Sequence, residues 1–176
     1  MKKTIQQSKL ARIQYYGMGG ITSLCLKAII RLIHFGDRIH EAKLLSYIDQ
    51  YHGVHCFLLT INNDETVAIK SGFSSGYSGE GPSGLVTALQ LLERHDVEID
   101  EYNVSEELLE RVDSSCLLLS DIESLNRDTL VRPQRWYDYI PHIQNKNILN
   151  SKLRNIFPAV IPFNIIDIRL IDLALQ

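Results

Sequence analysis

The sequence predicts an α/β (α+β) fold, and three observations carry that prediction. Apolar residues recur at helical spacing over residues 20–35. Two β-rich runs, residues 54–61 and 66–73, flank a short Asn/Asp turn, which is typical of an antiparallel β-hairpin. A glycine-rich turn then leads into the amphipathic segment 84–95. The chain therefore combines helices and strands, with at least one helix directly after a β-hairpin and further short elements after residue 96.

The composition fits one globular domain. The chain has 176 residues, of which 45% are hydrophobic and 22% charged, enough for a hydrophobic core. We expect a single domain, residues 1–176, with a helical part over 1–53 and an α+β part over 54–176. The net charge of −3 argues against direct nucleic-acid binding. The apolar run 21–33 is too short to cross a membrane, so we expect a cytoplasmic protein with no membrane partner.

The N-terminal part is predicted to form a helical hairpin. A first helix over 20–35 would end at Gly36, because glycine commonly follows a helix C-terminus. A second helix is predicted over 37–51, where apolar residues again recur at helical spacing: Ile39, Ala42, Leu45 and Ile48.

The later elements are shorter. Residues 97–104 alternate between apolar and polar and predict a strand. Ser105 is expected to cap an acidic helix, and the S-x-x-E sequence at 120–123 predicts the start of another. Prolines interrupt residues 131–163, and β-branched residues slightly favour a strand over 164–175.

The glycine-rich loop contains a literal G-x-G-x-x-G at residues 79–84. A strand before it, a helix after it and Asp100 about 20 residues on are features of a dinucleotide site. Against this, we expect the strand to end at Phe73, well before the motif, and the carboxylate of Glu80 would repel a phosphate. We therefore favour a structural turn into a helix begun by Pro82, with a small nucleotide- or ligand-binding domain or enzyme as the alternative. The turn residues are Gly76, Gly79, Gly81, Pro82 and Gly84.

Metal and catalytic sites find little support in the sequence. His52, His55 and Cys56 lie close together, but His55 and Cys56 would point to opposite faces of a strand. No G-x-S-x-G occurs, and a Ser-His-acid set using His95 and Asp100 would carry no specificity. The cysteines Cys25, Cys56 and Cys116 predict buried thiols in a reducing compartment. We expect no metal, no cofactor and no enzymatic activity.

Two segments are candidates for partner binding. Residues 96–113 carry eight carboxylates against one arginine, a local charge of −7 that could attract a basic partner. Residues 132–141 gather the tryptophan, tyrosine and arginine types that are enriched in binding hot spots. The candidate residues are Asp96, Glu98, Asp100, Glu101, Glu106, Glu107, Glu110 and Asp113 from the first segment, and Arg135, Trp136, Tyr137 and Tyr139 from the second.

Residues 72–85, "GFSSGYSGEGPSGL", followed by a helix and an acidic strand-helix unit, resemble a glycine-rich segment of bacterial toxin-immunity proteins. The resemblance is to contact-dependent growth inhibition (CDI) immunity proteins and covers residues 55–125. It implies a cytoplasmic, non-enzymatic protein that binds and neutralises a cognate toxin domain, often a nuclease, by covering its active or substrate-binding surface. It assigns no interface residues.

Overall fold

The computed structural model of the chain describes residues 9–62, 64–125 and 130–140. Its centre is a five-stranded mixed β-sheet, against which the helices pack. This confirms the α/β prediction. The elements are β1 (Gln14–Tyr16), α1 (Thr22–His34), β2 (Ile39–Asp49), β3 (His52–Ile61), β4 (Glu65–Ser75), α2 (Glu80–Arg94), β5 (Glu98–Asn103), α3 (Glu106–Asp113), α4 (Leu119–Leu125) and a 3-10 turn (Trp136–Tyr139).

The strand order is β1-β4-β3-β2-β5. β1 pairs in parallel with β4, and β2 in parallel with β5, whereas β3 is antiparallel to both of its neighbours. Four strands therefore run in one direction and β3 runs in the other. We call the edge where β1, β2, β4 and β5 end, and β3 begins, the carboxyl edge. The opposite edge is the amino edge.

Helices cover both faces of the sheet because the central strands are apolar on both sides. In β2, Ala42 and Leu44 join α1 and α2 in one core, whereas Leu45 packs in a second core with α3 and α4. In β3, Phe57 and Leu58 divide between the same two cores. Successive side chains of a strand point to opposite faces, which accounts for this division.

The predicted second helix of the N-terminal hairpin is wrong, because residues 39–49 form β2. A central strand covered on both faces keeps apolar residues on both, so its pattern need not alternate with polar residues. Ala42 and Leu45, which helical spacing would place on one face, lie on opposite faces of the sheet and are both fully buried. Of the helical part expected over residues 1–53, the described residues 9–53 contain one α-helix, α1, and the strands β1 and β2.

The other predicted elements within the described residues mostly agree with the structure. The antiparallel β3–β4 hairpin, α2, β5 and α3 are all present, and the Ser105 hydroxyl accepts a hydrogen bond from the Leu108 N–H at 3.4 Å. The predicted capping box at 120–123 is wrong, since α4 already begins at Leu119 and the Asp121 carboxylate accepts from the Leu118 N–H at 2.9 Å. The strand predicted over 164–175 lies outside the described residues.

The glycines of the loop are required by close packing within the chain. β4 continues to Ser75, beyond the predicted end at Phe73, and α2 begins at Glu80 with Pro82 in its first turn as predicted. A Cβ on Gly81 would overlap the Ser74 hydroxyl, and one on Gly84 would overlap the Thr22 methyl group. These contacts explain both glycines without a bound ligand.

Replacing Gly76 by alanine is expected to lower the free energy of unfolding by about 2 to 3 kcal/mol. Gly76 has φ +92°, and an added Cβ would overlap the Tyr51 carbonyl oxygen, so the turn backbone must move. Gly20→Ala is the matched control, because Gly20 has φ +75° with nothing within 4 Å of an added Cβ. It should lose only about 1 kcal/mol, the cost of the left-handed backbone alone. Equal losses in urea denaturation would contradict the packing role of Gly76.

Candidate functional site

The topology brings three loops together at the carboxyl edge. The turn between β2 and β3, the glycine-rich loop after β4 and the start of α3 after β5 all lie there, because these strands end or begin at this edge. Ligand and partner sites of sheets with parallel strands commonly lie outside the carboxyl ends of those strands. The carboxyl edge is therefore the first place to look for function.

Two exposed tyrosines stand at this edge. Tyr51 is 82% exposed and Tyr77 is 51% exposed. The Tyr77 ring meets the His52 ring edge-on at 5.8 Å between centroids, and its hydroxyl lies 2.7 Å from the Ser74 hydroxyl. These contacts link the glycine-rich loop to the β2–β3 turn and present aromatic surface to solvent.

Carboxylates surround Tyr47 at the same edge. The pKa of the Tyr47 hydroxyl is raised, chiefly by the charge of Glu106, then by burial, and further by Asp49 and Glu107. The Ser105 hydroxyl hydrogen-bonds Glu107 and lowers the pKa of that carboxyl, so it stays ionised. We define the carboxyl-edge surface by five exposed residues: Asp49, Tyr51, Tyr77, Glu106 and Glu107.

The acidic segment 96–113 is divided by the fold. Asp96 and Glu98 are exposed at the amino edge, whereas Glu106 and Glu107 follow β5 at the carboxyl edge. The six residues of β5 separate the two groups by about 17 Å, at about 3.3 Å per residue. A single acidic face over the whole segment is therefore not what the structure shows.

Several acidic candidates are engaged within the chain. Asp100 accepts from Arg132 at 3.0 Å, and Asp113 accepts from the Ser71 N–H at 2.9 Å and from the Ser71 hydroxyl. Glu110 is exposed on α3. Glu101, a predicted contact residue, is fully buried, so its carboxylate is not exposed to a partner.

The aromatic and arginine candidates also divide. Trp136 is buried in the core beneath α1 and α2, while Tyr137 stacks on it with ring centroids 3.7 Å apart and is 51% exposed. Arg135 and Tyr139 are half-buried and contact Glu101. Three of the four residues therefore hold segment 132–140 against the sheet, and Tyr137 alone is exposed.

Glu101 is the centre of a buried ion pair. Its carboxylate accepts from Arg135 Nη2 at 2.6 Å and Nε at 3.2 Å, and from the Tyr139 hydroxyl at 2.8 Å. Burial and the charge of Glu101 raise the pKa of Tyr139, which therefore stays protonated as a donor. Burial opposes the charge on Arg135, but the hydrogen bonds and charge of Glu101 outweigh it and raise the pKa of Arg135.

A hydrogen-bonded row of side chains runs beside this pair. Ser46 Oγ lies 2.7 Å from His55 Nδ1, and His55 Nε2 lies 2.8 Å from Ser75 Oγ. His55 is fully buried. Burial is the main cause that lowers its pKa to about 4; Arg135 lowers it further and Glu101 raises it. The Tyr139 ring packs edge-on against it at 5.1 Å.

Sequence reasoning missed this row. The signal lies in strand register, which pairs Ser46 with His55 and Gly53 with Ser75. A side chain at position 53 would overlap both the Ser75 hydroxyl and the His55 ring, which accounts for Gly53. The sequence analysis considered Asp100 as the acid of a Ser-His-acid set with His95. In the structure the Asp100 carboxylate accepts a hydrogen bond from Arg132 instead.

Metal, thiol and membrane features are limited within the described ranges. No group of three His, Cys, Asp or Glu side chains that could hold a metal ion occurs there. Cys25 and Cys56 are buried, and burial raises the pKa of both thiols, whereas Cys116 is half-buried. None of the helices in this part of the chain has the length and apolar character needed to cross a membrane.

Comparison with known proteins identifies a similar fold and no family. No protein-family model matches the chain, and no curated protein matches it. A chain in the solved structure of respiratory complex I from Thermus thermophilus is similar, with a TM-score of 0.56 and 14% sequence identity. The match covers 73% of this chain and 100% of that chain. At this identity the likeness concerns the fold alone.

Proposed function

We propose that the chain is a cytoplasmic immunity protein that binds and neutralises a cognate toxin domain through the carboxyl-edge surface. One observation carries the proposal. The fold brings the carboxylates of Asp49, Glu106 and Glu107 around Tyr47, at the same edge of the sheet as the exposed Tyr51 and Tyr77. The resemblance of residues 72–85 to CDI immunity proteins agrees with it, because that segment contributes Tyr77 to the surface.

The chemistry of this surface suits a basic partner. A nuclease domain must hold phosphates, and it does so with arginine and lysine side chains. Carboxylates on an inhibitor pair with those groups and raise the rate of encounter. The tyrosines supply apolar contact area with few rotatable bonds, and tyrosine is enriched at binding hot spots. The expected target is thus the substrate-binding face of a nuclease toxin.

The other predicted contact residues differ in exposure and in their bonds within the chain. Glu101 and Trp136 are buried, and four others are bonded within the chain, so we assign these six no direct contact with the partner; the four are Asp100, Asp113, Arg135 and Tyr139. Glu110 and Tyr137 are exposed and remain candidates for the rim of the interface. Asp96 and Glu98 face solvent at the amino edge and are assigned no contact.

Co-purification tests the proposal. We expect a toxin gene directly upstream of the gene for this chain. The full chain is co-expressed with the C-terminal domain of that toxin, in a catalytically inactive variant that protects the cells. We expect the two to elute together in gel filtration at low salt and the complex to weaken as salt rises. Separate elution at every salt concentration would contradict the proposed function.

A further inference from the structure

Ser75 occupies a position that suits a reactive hydroxyl. It is the last residue of β4 and is followed by Gly76, whose φ of +92° turns the chain sharply before α2 begins at Glu80. Ser75 still pairs with Gly53 in the sheet, so its hydroxyl stands at the end of the strand, next to the turn and not on it. Ser75 is half-buried at the carboxyl edge, with fully buried His55 behind it.

The contacts of His55 fit the role of a general base. Its Nε2 lies 2.8 Å from Ser75 Oγ, within reach of the hydroxyl proton. Its Nδ1 lies 2.7 Å from Ser46 Oγ, so an Nδ1–H that donates to Ser46 leaves Nε2 as the acceptor. A nucleophile bonded to a base, which a third group orients, is the arrangement that activates serine.

We propose that Ser75 is a nucleophile for acyl transfer from small activated esters, with His55 as its general base and Ser46 as a positioning residue. Ser75 Oγ forms a bond to the acyl carbon while its proton passes to His55 Nε2. The ester C–O bond breaks, and His55 returns the proton to the leaving alcohol. Water then attacks the acyl-Ser75 ester with the same proton transfers, which releases a carboxylic acid and restores the hydroxyl.

Burial and the neighbouring charges set the protonation of His55. Burial lowers its pKa to about 4, which keeps the ring neutral and free to accept a proton above about pH 5 but makes it a weak base. Glu101 favours the imidazolium that forms during attack, while Arg135 opposes it. The Tyr139 ring packs edge-on against the His55 ring, with the two ring centroids 5.1 Å apart. A purely structural role for the same hydrogen bonds would leave Ser75 no more reactive than other loop serines.

Labelling with a fluorophosphonate probe tests the proposal, because a phosphonyl group traps activated serines. The full-length protein is labelled between pH 5 and 8, and the adducts are mapped by peptide mass spectrometry. We expect Ser75 to react about 100-fold faster than Ser74 and Ser78, which lie close to it in sequence and have no imidazole partner in the described structure. His55→Gln should remove this advantage, and Ser46→Ala should lower the rate and change its pH profile.

The outcomes separate the two roles. Labelling of Ser75 no faster than Ser74 and Ser78 would overturn the proposal, as would an unchanged rate in a folded His55→Gln protein. If His55→Gln does not fold, the comparison among the three serines of the wild-type protein decides. The assay contains no toxin, so its result is independent of the proposed immunity function.

Discussion

Replacing Arg135 by methionine is expected to lower the free energy of unfolding by about 3 to 5 kcal/mol. The Glu101 carboxylate, which is 0% exposed, would lose its contacts with the guanidinium group and keep only the bond from Tyr139. Methionine preserves much of the apolar stem of Arg135. The loss in free energy of unfolding therefore measures mainly the cost of leaving the buried Glu101 carboxylate without its positive partner. Urea denaturation followed by the fluorescence of Trp136, the only tryptophan, measures the change.

Two further variants make this result specific. Adding Glu101→Gln to Arg135→Met removes the stranded charge, so the double variant should be more stable than Arg135→Met alone, by about 1 to 3 kcal/mol. Arg132→Met is the matched control, because Arg132 pairs with Asp100 at 3.0 Å but its side chain is 51% exposed. It should cost at most about 1 kcal/mol. Similar losses for Arg132→Met and Arg135→Met would contradict the account.

The strand β2 shows where local pattern fails as a guide to the fold. The sequence does predict α1, the β3–β4 hairpin, α2 and β5, because each combines a clear apolar period with recognisable end signals. Residues 39–49 carry apolar residues for two cores at once, and that pattern matches a helix as well as a strand. Only the helices on both faces of the sheet, which are tertiary structure, resolve the ambiguity.

Glu101 shows the equivalent failure for charge. The sequence places it in an acidic run, but its fate depends on Arg135, 34 residues further on. Burial of one carboxylate among eight cannot be deduced from local composition. The same holds for Ser75 and His55, which are 20 residues apart and meet only through the register of β3 and β4. Sequence reasoning found the acidic and aromatic residue types; the fold decides which of them face solvent.

Reversing the charge of the carboxyl-edge surface is expected to slow association with the toxin domain by about 10- to 100-fold at low salt. The variant is Asp49→Lys, Glu106→Lys and Glu107→Lys together. These three residues are exposed and raise the pKa of Tyr47, which indicates one local field. Salt screens the attraction between these exposed carboxylates and an approaching basic partner. The difference in association rate between the variant and the wild-type protein should therefore shrink at high ionic strength.

The amino edge supplies a matched control. Glu93, Asp96 and Glu98 are exposed there, at the end of α2 and the start of β5. Changing these three to lysine alters the net charge by the same amount at the other end of the sheet. Both triple variants must retain the circular dichroism spectrum and thermal stability of the wild-type protein before their rates are compared.

The most direct test of the proposed docking surface is the association rate constant of the toxin domain with these three proteins, measured by stopped flow at low and high salt. We predict a large loss for the carboxyl-edge variant at low salt and a much smaller change for the amino-edge variant. Equal rates for the two variants at low salt would show that net charge alone governs the encounter and would contradict the assignment of the binding surface to the carboxyl edge.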